Sequence, residues 1–253
     1  MFRHQGKSRT LKHNLQIATV LSFVAGLVNV SGFLALKQLT TNVTGHFALF
    51  INDVANLEFW RGTVYFLYIF SFFFGSFSSS LLIEINTARK KLNVFFIPTM
   101  IQVVILVGIA IFQVELMLNY VDVAACLLLF AMGMQNSYVT KISKAIVRTT
   151  HLTGLFTDLG IEISQLFFPE LHHREKLKET IKLRIFIILF FFAGGLIGGF
   201  LYSELDLELN TLLFGAIVLL ISLFYDDLRF RVIRKKRKYK HKKISFHKLK
   251  HIE

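Results

Sequence analysis

The chain has 253 residues, of which 54% are hydrophobic and only 18% charged, with 28 Phe, 2 Pro and 1 Cys. A water-soluble domain carries about 25% charged and about 45–50% apolar residues, so this composition excludes a disordered chain, a disulfide scaffold and most soluble enzymes, and points to a polytopic membrane protein. The formal net charge of +13 is local: twelve Lys or Arg and one carboxylate lie between Arg229 and Glu253, and the rest is close to neutral. A basic tail directly after an apolar segment reads as a cytoplasmic anchor that meets anionic lipid headgroups. Apart from Phe230 at its start, only Tyr239 and Phe246 interleave it, so no nucleic-acid partner is expected.

In chain order, a basic stretch 1–14 with Arg3, Lys7, Arg9 and Lys12 precedes the apolar segment 15–36. That segment is too long for a cleaved signal peptide and no small-x-small site follows it, so it reads as a retained signal-anchor. Further segments of span length follow at 63–84, 94–113, 121–140, 184–203 and 210–226, each near the roughly 20 apolar residues that a bilayer crossing requires. Two others, 44–57 and 152–167, are short and carry Asn52, Asp53, Asp158 and Glu162. If both enter and return on one side, the cytoplasm receives both termini, Arg89–Lys91, the Lys141–Arg148 loop and 168–183, which satisfies the positive-inside rule. Trp60, Tyr65, Tyr120, Tyr202 and Tyr225 then fall near interfaces. The stretch Pro169–Arg184 reads as a surface amphipathic helix of mixed charge. Residues 228–253 form the tail.

The chain also repeats itself. Thr41-Asn42-Val43-Thr44-Gly45-His46-Phe47 returns 109 residues later as Thr150-His151-Leu152-Thr153-Gly154-Leu155-Phe156, and Gly26-Leu27-Val28-Asn29 returns as Gly133-Met134-Gln135-Asn136. Downstream, Phe73-Phe74-Gly75-Ser76 with Ser79-Ser80 resembles Phe192-Ala193-Gly194-Gly195 with Gly198-Gly199. Two repeats, 15–113 and 114–227, each read as span, short return segment, span, span. Three spans are an odd number, so the second repeat must be inverted. The expected fold is therefore an all-α integral membrane protein with six transmembrane helices in two inverted 3+3 repeats, each with a short re-entrant helix. Secondary transporters and some channels are built this way, with the site between the repeats.

Irregular backbone at membrane depth needs internal partners. Thr and Asn beside each short helix can cap free N–H groups, and glycine permits close approach. Two helix N-termini facing the midplane favour an anion or the negative end of a polar solute. The expected solute-binding set is Asn29, Thr41, Asn42, Thr44, Gly45, His46, Gln135, Asn136, Thr150, His151, Thr153, Gly154, Asp158 and Glu162. A carboxylate at membrane depth costs about 2.5–3.5 kcal/mol on insertion scales, so Asp158 is the leading candidate for proton coupling or solute binding. Asp53 aligns with Glu162 in the repeat, whereas position 158 aligns with Leu49. The same residues also fit a plainer role, in which they cap, pack and bridge helices. The glycines and serines at four-residue spacing read as close helix packing, within the chain or between copies in a homo-oligomer.

No P-loop, Cys-x-x-Cys, His-Glu-x-x-His or Gly-x-Ser-x-Gly pattern occurs, so no enzyme, cofactor or metal is expected, and His172-His173 are weak metal candidates. Two functions stay open: passage of a small polar or anionic solute, with proton coupling an option, or a non-transporting assembly or regulatory protein.

Gly26 to Asn29, Thr41 to Gly45, Gly133 to Asn136 and Arg148 to Asp158 together resemble the YoaK family, small bacterial membrane proteins classed under a domain of unknown function. The resemblance covers about residues 15–226, is nearest in the second half, and departs at Ser31 and in the long tail. It implies a bacterial cytoplasmic-membrane protein of about six helices and no particular substrate.

Overall fold

A computed structural model describes residues 10–89, 93–143, 145–168 and 174–225. The basic tail, most of the N-terminal stretch, Lys90, Lys91, Lys144, His172 and His173 lie outside the described residues. The described residues contain helices and connecting segments and no strand. The helices are α1 (Leu11–Leu36), α2 (Thr44–Ala55), α3 (Phe59–Ala88), α4 (Phe96–Ile111), α5 (Gln113–Asn119), α6 (Val121–Ser143), α7 (Leu152–Gln165), α8 (Arg174–Ser203) and α9 (Glu208–Tyr225), the last opening with a 3₁₀ turn. Among them, α1, α3, α6, α8 and α9 are long and apolar enough to cross a membrane; counting the bent pair α4–α5 as one span gives six. The protein is thus all-helical, with five or six helices of membrane-spanning character.

Local chemistry sets the helix ends. Thr10 precedes α1, and its backbone N–H donates to Nδ1 of His13 at 3.2 Å, occupying a donor that the helix itself cannot use. At the other end Lys37 takes a left-handed conformation (φ 55°) and its N–H closes on the Phe33 carbonyl. The chain then runs without helix through residues 38–43 before α2. The second half has the same plan: α6 ends at Ser143, Ala145 is left-handed (φ 65°), and an irregular segment leads to α7.

Packing is crossed between the halves. The most extensive helix contacts are α1 against α8 and α3 against α6. At the first crossing, a Cβ on Gly26 would collide with the Phe191 carbonyl, and one on Gly194 with the Phe23 carbonyl. At the second, Gly133 faces the Phe72 carbonyl and Gly75 the Phe130 carbonyl in the same reciprocal way. Helices in lipid gain little from hiding apolar surface from one another, so backbone approach across small residues supplies the van der Waals contact that holds them. The small residues singled out in the sequence thus seat helices of one chain. Helices α1 and α6 contribute much of the core, including Leu21, Leu27, Leu128 and Met132 at 0% exposure. Helices α3 and α8 turn Phe70, Phe73, Phe192 and Leu196 outward, as a hydrocarbon environment permits.

The segment 94–113 holds α4 (Phe96–Ile111), and α5 leaves its end at 75°. Gln113, Glu115 and Asn119 are the reason, because they place polar groups immediately after sixteen largely apolar residues. The charged stretch before residue 184 is not a separate surface helix. From Arg174 it continues into the apolar part of α8 without a break, there being no Pro or Gly between 174 and 193, and Arg184 finds partners inside the fold.

Candidate functional site

The polar feature of the second half is built on α7 and α8. Asp158 and Glu162 stand one turn apart on α7, so both carboxylates point the same way. Arg184 of α8 meets them. Its Nε and Nη2 donate to the two oxygens of Glu162 at 2.8 and 2.9 Å, and its Nη1 donates to Oδ2 of Asp158 at 2.8 Å. The Glu162 side chain is 13% exposed and that of Asp158 51% exposed. The fork geometry of guanidinium on carboxylate makes the Glu162 pairing the stronger of the two.

Beside this triad lies a cavity of about 440 Å³. Its polar wall is Arg148, His151, Asp158, Thr180 and Arg184; Ile146, Leu155 and Leu183 supply apolar surface. His151 stands at the N-cap of α7 with its ring over Gly154, where a Cβ would lie only 3.2 Å from His151 Cε1. Gly154 therefore lets the imidazole lie flat against the first turn, where unbonded N–H groups add partial positive charge. Two guanidinium groups and a helix start face a single carboxylate of the lining.

The Thr and Asn residues do something other than capping. Val43 and His151 occupy the N-caps of α2 and α7, with no side-chain cap hydrogen bond. Thr41 donates to Asn29 Oδ1 at 2.7 Å, while Asn136 and Thr150 exchange hydrogen bonds of 2.7 and 3.0 Å. These matched pairs fasten the irregular segments to α1 and α6, satisfying polar groups that lipid would leave unpaired. Gln135, at 0% exposure, donates to the Leu21 carbonyl and accepts from Gln102, which in turn accepts from Tyr138. Thr149 completes that network at 3.4 Å from Gln135 Nε2.

In the first half, His46 is 1% exposed, with Nε2 2.6 Å from the Leu39 carbonyl and its ring stacked on Tyr65 at 6.0 Å. Tyr68 meets the same ring edge-on and donates to Asp122. Thr44 is exposed, Asn42 and Gly45 are half-buried, and a Cβ on Gly45 would press on the Leu39 side chain at 2.7 Å. Among the described residues the cavity is lined only from 145–184. It brings together His151, Gly154 and Asp158, with Glu162 reached through Arg184. Asn29, Thr41, Asn42, Thr44, Gly45, His46, Gln135, Asn136, Thr150 and Thr153 do not line it.

Arg148, Thr180 and Arg184 escaped the sequence reading as site residues, as did Gln102 and Tyr138 as members of the polar network. One signal for Arg184 was available: two carboxylates at i and i+4 in an apolar helix demand a counter-charge.

Residues 17–225 match the model of a family described as protein of unknown function (DUF1275). The chain belongs to this family. The match covers all the described helices except the first turns of α1, and includes every residue of the cavity. No curated protein and no solved structure matches the chain. Family membership and the apolar helices together make it a membrane protein of a family without an assigned activity, and leave chemistry to the cavity.

Proposed function

We propose that this protein moves a small polar or anionic solute across a membrane through the cavity at the start of α7. The observation that carries this reading is a 440 Å³ space presenting two guanidinium groups beside a carboxylate, in a chain with five or six helices of membrane-spanning character. Ionisable side chains inside a membrane are expensive, and where they occur they mark solute or proton pathways. The proposal includes two inverted repeats with α2 and α7 re-entrant. It is supported by the shortness of those helices (12 and 14 residues), by the matched Asn–Thr pairs and by the reciprocal glycine crossings. Kinship with the YoaK family, a bacterial cytoplasmic membrane, both termini in the cytoplasm and a cavity open to that side belong to the same proposal.

Thiol labelling tests the topology. With Cys126 replaced by Ser, single cysteines across 57–62 should react with a membrane-impermeant reagent in intact cells, and those at 85–89 and 145–148 should be protected. The opposite pattern would make α2 and α7 full spans and remove the inverted-repeat basis for transport. A second reading, a non-transporting assembly partner, is favoured by one observation: the Asn29–Thr41, Asn136–Thr150 and Gln102–Gln135–Tyr138 groups satisfy one another internally. Asp158→Asn separates the two, since a carrier should lose coupled uptake in vesicles while keeping its fold, and a scaffold should keep its cellular phenotype.

A further inference from the structure

The charges around the cavity balance as they stand. Arg184 is shared by Asp158 and Glu162 of α7, and Arg148 of the preceding segment brings the formal sum of these four side chains to zero. An anion entering this neutral set would leave one uncompensated negative charge against a wall that Leu155 and Leu183 make partly apolar, where such a charge is disfavoured. The two carboxylates are not equivalent. Glu162 is held by two hydrogen bonds, is nearly covered and does not line the cavity; Asp158 is held by one, is half exposed and lines it. Asp158 is therefore the group that can be exchanged.

From this we infer that the cavity takes a small aliphatic monocarboxylate together with one proton, the proton going to Asp158 and the carboxylate to Arg184. This deepens the transport reading and rests on it for its physiological sense. A proton from water binds Oδ2 of Asp158, which then no longer attracts the guanidinium as a charge. Nη1 of Arg184 is released to the incoming carboxylate, with Arg148 also lining the space. When the carboxylate leaves, Asp158 returns its proton to water and takes Nη1 back. Charge is zero before and after, so the pair enters as a neutral sum. The planar donor fork of arginine suits a carboxylate, and Ile146, Leu155 and Leu183 offer a short alkyl chain somewhere to lie.

The test is calorimetric titration of purified full-length protein with isovalerate and with lactate, in two buffers of different ionisation enthalpy, which counts protons taken up per ligand. Wild type should bind with about one linked proton, and its affinity should fall about tenfold per pH unit near neutrality. Asp158→Asn, which keeps the shape and removes the titration, should bind about tenfold or more tightly at neutral pH with no linked proton. Glu162→Gln should keep the linked proton. Arg184→Lys, with the charge but not the fork, should weaken binding. The inference is overturned if neither monocarboxylate binds, if binding carries no proton in wild type, or if the linked proton survives in Asp158→Asn. Proton-linked binding without isovalerate or lactate counterflow in proteoliposomes would uphold the site and sink the transport reading alone.

Discussion

Gly26, Gly75, Gly133 and Gly194 bring helix backbones together, and each meets a backbone carbonyl where one added methyl group would lie. Gly26→Ala or Gly194→Ala must separate α1 from α8, because the obstructing atom is a backbone carbonyl and not a movable side chain end. Overpacking of this kind costs about 1–3 kcal/mol, and loss of thermal stability in detergent, read by size-exclusion chromatography after heating, should report it. Gly108→Ala is the control, since nothing lies within 4 Å of its added Cβ, and it should match wild type or gain slightly. Gln135→Leu tests the buried network. It removes the acceptor of Gln102 and the donor to the Leu21 carbonyl, and unpaired buried polar groups cost about 1–3 kcal/mol. The same melting assay should show it less stable than wild type. The glycines were legible in the sequence because close packing demands a residue type at a fixed spacing. Gln102 was not, because one amide inside the apolar run 94–113 has no counterpart in the repeat to betray its partner.

The two short helices each follow an irregular segment and are held by different chemistry. Helix α2 meets α3 through the His46, Tyr65 and Phe50–Phe66 ring contacts, whereas α7 meets α8 through an ionic triad. Aligning the sequence by the glycines of α3 and α8 sets position 65 against 184, an aromatic ring against a guanidinium. Arg184→Gln should therefore loosen α7 and spare α2. Hydrogen exchange read by mass spectrometry should show faster deuterium uptake across 152–165 with 44–55 unchanged; equal loosening of both would refute the distinction. Here the sequence was partly informative. It marked both short helices and the carboxylates, since polar groups in short apolar segments stand out by composition. It hid Arg184, because a charge next to an apolar run looks like the boundary of a span until tertiary contacts show it inside.

Across the whole molecule, the crossed pairing makes neither half self-sufficient. Residues 1–113 contain α1 and α3 but lack α8 and α6, against which those helices make their close contacts. Fragments 1–113 and 114–253 expressed separately should be degraded or aggregate, and co-expressed from two genes they should co-purify as one complex. Stable, monodisperse separate fragments would show that the crossings contribute little. The six-segment pattern was readable from hydropathy, yet which helix meets which was not, because small-residue spacing gives a helix face without naming its partner. The crossing also has a temporal side. Helix α1 ends at Leu36 and its partner α8 begins at Arg174, so at about 5–20 residues per second of synthesis the first helix waits on the order of ten seconds for its seat. During that interval the Gly26 face is open to lipid or to other newly made helices. The nascent chain therefore needs protection at the exit from the insertion machinery, and a slowed ribosome between α7 and α8 would lengthen the period in which it is vulnerable.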